Sequence, residues 1–419
     1  MPNSLRARYV FPVDRPPIED GVVVLQGERI LAVGGRDIGD NAVDLGEVAL
    51  LPGLINAHTH LELSNLRQPL GQPGMLLVDW VRLVISERGR RDYTVDTAIE
   101  SGLRESLAAG VTSVGDISSV AGQAPPSTQL DLTRFLEVIA FSRARAESAF
   151  GALAARLSSQ LSASGRVQRA QTDIRLGISP HAPYTVSPEL LAKLIALAQH
   201  QRLPVAMHIA ESREERQLLE HGTGPFQELL DERSMWDAAA ITRGSRPLDY
   251  LRALAEAPRA LAIHGNYLDA AELKFLAERR VNMSLVYCPR THRFFQHEPY
   301  PLAQALAAGV RVAVGTDSRA SNPDLSVLAE LQFISRQNPT LDPYLILSMG
   351  TIDGAEALGR AAEVGSLAPG KLANLVTIAL PESRAATPAD ALGHIFASDA
   401  RVENVWLNGQ PQRSGAERE

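Results

Sequence analysis

Eight short apolar runs recur along the chain, and several of them follow a stretch with helical periodicity. Helical spacing appears in VDTAIESGLRESLAAG, SPELLAKLIALAQHQ, DAAELKFLAERR and YPLAQALAAG. Each leads into a strand-sized run: VTSVGD, LPVAMHIAES, VNMSLVYCP and VRVAVGTDS. ALLPGLINAHTH, FLEVIAF, IRLGISPHAPY and RALAIHGNY bring the set to eight. A strand covered by helices on its outer face reads as an unbroken apolar run, so the repeat predicts parallel βαβ units. Eight such units predict an α/β fold of the (β/α)8 TIM-barrel type. A doubly wound sheet fits the periodicity too, but the Gly-rich phosphate turn that usually accompanies it is absent.

Both ends of the chain have a different texture. GVVVLQGERILAVG and AVDLGEVALLPG at the start, and GKLANLVTIAL and RVENVWLNGQ at the end, are strand-sized runs set off by glycine and proline. The expectation is a small β-sandwich domain built by both termini, residues 1–50 and 360–419, around a barrel of residues 51–359. Two separate terminal decorations are the alternative. The final SGAERE reads as a frayed polar tail.

Composition narrows the class. Hydrophobic residues make up 45% and charged residues 21% of 419 positions, the balance of a soluble globular chain. A net charge of -7 argues against nucleic acid as a partner. The N-terminus lacks the apolar core of a signal peptide, and no apolar stretch reaches membrane-spanning length. The single cysteine, Cys288, excludes an intrachain disulfide and any Cys-x-x-Cys metal site. Together these features lead us to expect a cytoplasmic protein with a small-molecule partner, no nucleic acid and no membrane. A homodimer is compatible with this composition.

The chemistry-bearing residues cluster at the C-terminal ends of the apolar runs. In LPGLINAHTHLELS, His58 and His60 are one residue apart, so on a strand both imidazoles leave the same face. That arrangement is half of a metal site, or else a solvated strand end. GISPHAPY carries His181, VAMHIAES carries His208 and Glu211, LAIHGN carries His264, and VAVGTDS carries Asp317. In a barrel these ends gather around one mouth, where a shared reaction centre would lie. His200 and His221 fall on helical or loop segments and read as exposed, His394 reads as structural, and Asp116 reads as a helix cap.

PGLINAHTH, HIAES, IHGN and VGTDS together resemble the amidohydrolase superfamily over nearly the whole chain, and GSLAPGKLANLV resembles that family's small sheet domain. Asn374 stands where members usually carry aspartate. The resemblance implies a metal-dependent aminohydrolase. Dinuclear members bridge two ions with a carboxylated lysine at the end of the fourth barrel strand. Taking FLEVIAFSR as that strand, the absence of lysine implies one divalent ion, Zn2+ or Fe2+, held by His58, His60, His208 and Asp317. Such an ion lowers the pKa of the water it binds towards ~7. Asp317 would take a proton from that water, His264 would orient the nucleophile, and Glu211 would protonate the ring nitrogen beside the attacked carbon. A non-catalytic assembly relative typically loses ligands, whereas here the whole set is present.

SPHAPYTVS and VGTDSRASNPDLS resemble the deaminases of S-adenosylhomocysteine, methylthioadenosine and related aminopurine nucleosides, which places His181 against the substrate. YCPRTHRFF departs from that branch and supplies Arg290, a candidate carboxylate clamp unless a local acid engages it. Arg143 and Arg145 face the mouth or solvent. Glu62 continues the His58–His60 alternation towards a ribose hydroxyl, and Trp80 stacks on substrate or belongs to the core. HTHLELS and Cys-Pro-Arg-Thr-His most resemble deaminases of 6-aminodeoxyfutalosine, a benzoate-bearing nucleoside of menaquinone synthesis. Adenosylhomocysteine, methylthioadenosine or adenosine deamination is the alternative, followed by other ring aminohydrolase or chlorohydrolase activities.

Overall fold

The structure is a computed structural model that describes residues 3–39, 41–90, 94–119, 130–164, 174–381 and 386–412. The tail SGAERE lies outside the described residues. Eight parallel strands form the central sheet: β1 Leu54–Thr59, β2 Val111–Ser118, β3 Asp131–Val138, β4 Arg175–Pro180, β5 Val205–Ile209, β6 Ala260–His264, β7 Met283–Tyr287 and β8 Val312–Val314. Each pairs with its neighbour in chain order. The ring is drawn shut where the N–H groups of Thr316 and Asp317 both reach the carbonyl of His58, at 3.1 Å each. All eight predicted runs are therefore barrel strands.

The strand numbering corrects one expectation. FLEVIAF belongs to β3, since β2 pairs directly with Asp131–Val138. The fourth strand is RLGISP, and it contains no lysine either. Arg143 and Arg145 accordingly follow the third strand.

The lumen is filled from inside by Ile55, Ala57, Ile117, Phe135, Ala206, Leu261, Ile263, Val286 and Ala313, all buried. Small residues alternate with large ones, so the barrel interior is a packed core with the reactive residues above it. The outer helices obey local rules. Pro188–Gln201 starts with the Ser187 hydroxyl accepting the N–H of Leu190 and Pro188 in the first turn, then ends on left-handed Arg202. Ala270–Glu278 opens with a capping box between Asp269 and Glu272.

The termini meet in a second sheet. Val48–Pro52 lies parallel to Asn3–Val10 and antiparallel to Leu375–Ala379, joining the two ends of the chain. Leu5, Ile30 and Trp406 come from distant strands of this sheet yet share one buried cluster, so the sheet curls over itself. It extends two residues past position 50. The C-terminal segment is not all sheet. Pro388–Ile395 is a helix, and Gln332 of a barrel helix donates to the carbonyls of Ile395 and Ala400. No described helix is long and apolar enough to cross a membrane.

Candidate active site

At the C-terminal mouth of the barrel, β1 delivers His58 and the following position delivers His60. Their alternation holds: both rings face the same centre, joined by His208 from β5 and Asp317 from beyond β8. Nε2 of His60 lies 3.3 Å from Nε2 of His208. Oδ1 of Asp317 lies 3.6 Å from Nε2 of His58 and 3.8 Å from Nε2 of His60. Three of these centres are positioned by neighbouring hydrogen bonds or close backbone contacts. Nδ1 of His208 sits 2.9 Å from the carbonyl of His181, which fixes the proton there and leaves Nε2 as a lone pair. Asp317 accepts the N–H of Ser318 at 2.8 Å and the hydroxyl of Ser321 at 3.0 Å. Gly315 lets β8 approach β1, since a Cβ there would stand 2.8 Å from the carbonyl oxygen of His58.

Three non-glycine residues at these strand ends adopt a left-handed backbone: Ala210 with φ 50°, His264 with φ 68° and Asp317 with φ 56°. Such conformations are costly for a residue with a Cβ and concentrate at functional sites. Here they turn side chains inward just as each strand ends.

The donor set fits a metal ion. Both ring nitrogens of His58 are buried with no hydrogen-bond partner, an arrangement that is costly unless an ion takes the lone pair of one of them. Ligand atoms of His58, His60 and Asp317 lie within 4.8 Å of one another, as do those of His58, His208 and His264. Burial, with the field of neighbouring histidines, pushes the pKa values of His60 and His208 well down, so both imidazoles are neutral and can ligate. Burial alone would raise the Asp317 carboxyl, but His58, His264 and His60 hold it below the usual range. Nitrogen and carboxylate donors of this kind can hold a single divalent ion.

Beside this centre stands an acid–imidazole pair. Oε1 of Glu211 is 3.3 Å from Nε2 of His264. Burial and the nearby Asp317 and Glu215 carboxylates push the Glu211 carboxyl well above its ordinary range, which favours its protonated form. Glu215 anchors the turn by accepting the N–H groups of Ala210 at 2.8 Å and Glu211 at 3.0 Å. Asn266 donates to the Glu211 carbonyl.

His60, His208, Glu211, His264 and Asp317 line a cleft of about 960 Å³, the open solvent at its mouth included. Its walls come mainly from two helices. Leu77–Arg88 presents Leu77, Val81, Val84 and Arg88, and Pro225–Glu232 with its following residue presents Phe226, Leu229, Leu230 and Arg233. Each stripe is apolar at helical spacing and ends in an arginine. Arg82 bridges the helices through two hydrogen bonds to Glu232, at 2.7 and 3.0 Å.

The expected substrate contacts divide sharply. His181 lines the cleft, with Nδ1 2.7 Å from the Thr185 hydroxyl. Trp80 also lines it, while its Nε1 donates to the carbonyl of Ala320 and its ring packs edge-on against Phe295. Glu62 is buried behind the wall. Its carboxylate takes the Ser119 hydroxyl and pairs with Arg88, so it is not available to a ribose hydroxyl. Arg290 lies off the cleft and is fully engaged. Nε meets Glu330 at 2.6 Å, and the other nitrogens meet Asp324 at 2.6 and 2.9 Å. The carboxylate clamp is thereby corrected, because the local acids have taken the guanidinium. Arg143 pairs with Glu189 on the outside, and Arg145 is exposed. Asp116 accepts the N–H of Leu61 at 2.9 Å and so holds the turn after His60.

Sequence reading missed Arg88, Glu137 and Arg233. Glu137 was legible in principle. It lies two residues beyond lumen-facing Phe135 on β3, at the end where functional residues gather. Arg88 and Arg233 looked like ordinary polar helix ends.

Comparison with known proteins agrees with this architecture. Residues 49–411 match the model of the amidohydrolase family. The 5-methylthioadenosine/S-adenosylhomocysteine deaminase of Moorella thermoacetica is 28% identical, across 96% of this chain and 91% of that protein. The 5'-deoxyadenosine deaminase of Methanothermobacter thermautotrophicus is 29% identical, across 95% and 90%. Among solved structures, Helicobacter pylori aminofutalosine deaminase in complex with methylthio-coformycin superimposes with a TM-score of 0.85. It covers 98% of this chain and 100% of that one at 23% identity, a likeness of fold.

Proposed function

Because the chain belongs to the amidohydrolase family, we propose that this hydrolytic enzyme removes the exocyclic amine of an adenine-type nucleoside, using one divalent ion. The observation that carries the reading is the meeting of two sets of groups at the floor of one cleft. His58, His60, His208 and Asp317 converge as candidate metal ligands, and Glu211 stands beside them, paired with His264.

The ion, Zn2+ or Fe2+, supplies Lewis acidity that makes water a competent nucleophile at neutral pH. The remaining work falls to the chain. Asp317 is an ionised carboxylate, able to accept a proton from the attacking water. Glu211 holds a proton to give to the ring nitrogen beside the attacked carbon, and then relays one to the departing ammonia. His264, held neutral by burial, orients the nucleophile and stabilises charge that develops on its oxygen. His181 borders the purine.

The preferred substrate is 6-aminodeoxyfutalosine, of menaquinone synthesis. Supporting it are the two apolar stripes, which suit an aryl 5′ arm, and Arg233 at the end of the second, which suits its carboxylate. Methylthioadenosine, S-adenosylhomocysteine and 5'-deoxyadenosine form the second reading, favoured by the activities in the names of the sequence relatives. Ammonia release from a panel containing these compounds, adenosine and guanine is the test. Turnover of aminodeoxyfutalosine at the highest kcat/KM is expected. Preference for a thionucleoside would transfer the assignment, and inertness towards every aminopurine nucleoside would remove it.

A further inference from the structure

Glu137 is a buried carboxylate with no task in the chemistry above. Its side chain is 3% exposed and lines the cleft near the mouth end of β3. Neither oxygen makes a hydrogen bond to any described residue: Oε2 is buried without a partner, and Oε1 is 3.9 Å from Nε2 of His181, too far to bond. Leaving an acceptor in this condition is costly, and a ligand donor would remove that cost. Burial raises the Glu137 carboxyl, and the field of Arg88 opposes that rise. Arg88 lines the same wall. Glu62 holds one end of its guanidinium, while its Nε is buried and unpartnered.

The same lining thus holds an unpartnered acceptor and an unpartnered donor. A ligand ammonium could give to Glu137 but would be repelled by Arg88. A ligand carboxylate could accept from Arg88 but has nothing to give to Glu137. A hydroxyl does both. Glu137 is also the only carboxylate among the described lining residues outside the reaction centre of Glu211 and Asp317. We infer that Glu137, backed by Arg88, binds the vicinal hydroxyls of the sugar and makes the enzyme select ribonucleosides over deoxyribonucleosides at the 2′ and 3′ positions. The assignment rests on the nucleoside deaminase reading and places sugar recognition on the third strand, where Glu62 cannot supply it.

The test compares kcat/KM for an adenine ribonucleoside substrate with its 2′-deoxy and 3′-deoxy forms, in the metal-loaded wild type and in Glu137→Gln and Glu137→Ala. The wild type is expected to lose at least about 10-fold on at least one deoxy form, since an unmade bond to a buried charged acceptor costs that much or more. In Glu137→Ala the ribonucleoside should fall to the level of the deoxy forms, leaving little discrimination, with the change chiefly in KM. Equilibrium binding of the inosine-type product to Glu137→Gln provides a readout independent of turnover, and should weaken by a similar factor. Wild-type discrimination retained in Glu137→Ala would overturn the assignment while leaving the deaminase intact. Failure of the wild type to turn over any aminopurine nucleoside would instead defeat the deaminase reading, and the sugar site with it.

Discussion

Nδ1 of His208 faces the main-chain carbonyl of His181 at 2.9 Å, so a residue whose side chain lines the cleft also fixes the tautomer of an imidazole in the candidate metal centre. The link runs through backbone, between neighbouring strands β4 and β5. It keeps Nε2 of His208 deprotonated and aimed at His60, whatever the side chain of His181 meets.

The first expectation concerns the ion. Dialysis against a strong chelator should lower kcat by at least about 100-fold, and one equivalent of Zn2+ or Fe2+ should restore it. Elemental analysis of the restored enzyme should give about one ion per chain. His208→Ala should fail to retain the ion at all. Full activity in the metal-free protein would contradict the site.

Glu215 acts through Glu211. In Glu215→Gln the amide replaces one acceptor with a donor, so one of the N–H groups of Ala210 and Glu211 loses its partner. The cost is about 1–3 kcal/mol of stability. The turn carrying Glu211 shifts, and kcat should fall more than KM rises. Denaturant unfolding and steady-state kinetics on the same preparation check both parts.

Arg290 is expected to matter for folding and not for substrate. Arg290→Met leaves Glu330, which is fully buried, without its cation, and Asn322 also leans on that carboxylate. Destabilisation of about 3–5 kcal/mol should follow. KM for a carboxylate-bearing nucleoside should remain that of the wild type. A raised KM with an unchanged unfolding midpoint would restore the clamp.

Gly315→Ala would place a methyl 2.8 Å from the His58 carbonyl oxygen and 2.9 Å from its Cβ. Because both neighbours belong to a packed strand, the strain cannot relax cheaply and should cost about 1–3 kcal/mol. The displaced His58 should also weaken metal retention, measured as ion content after gel filtration.

Arg82→Ala opens the tie between the two wall helices. Both partners are partly exposed, so global stability should change by less than about 1 kcal/mol. KM should rise for nucleosides whose 5′ arm reaches the apolar stripes and stay level for adenosine. Equal changes for both substrates would show that the tie does not shape the arm site.

Much of this was legible in the linear chain because it depends on local periodicity. Eight apolar runs, with no Gly-rich phosphate turn among them, pointed to the barrel, and the one-residue gap between His58 and His60 put both rings on one face. Chain order then predicted that His208, Glu211, His264 and Asp317 would meet them, since barrel strands all end at the same rim. The terminal sheet was legible from its short strands. The helix Pro388–Ile395, packed against the barrel, was hidden among them because its contacts lie elsewhere in the sequence.

The sequence by itself determined which strand-end residues reach the rim; only the tertiary structure decided which other side chains join them and which are free to act there. Arg290 and Arg88 look alike as letters, yet Glu330 and Asp324, from 34 to 40 positions away, consume the first. Glu62 holds the second from one side only and leaves its Nε at the cleft wall. Glu62 and Glu137 differ for the same reason: Ser119 and Arg88 hold the first, whereas Oε2 of the second is buried without a partner. A side chain's direction follows from strand and helix period, but whether its charge is already satisfied depends on partners that the fold brings together through space.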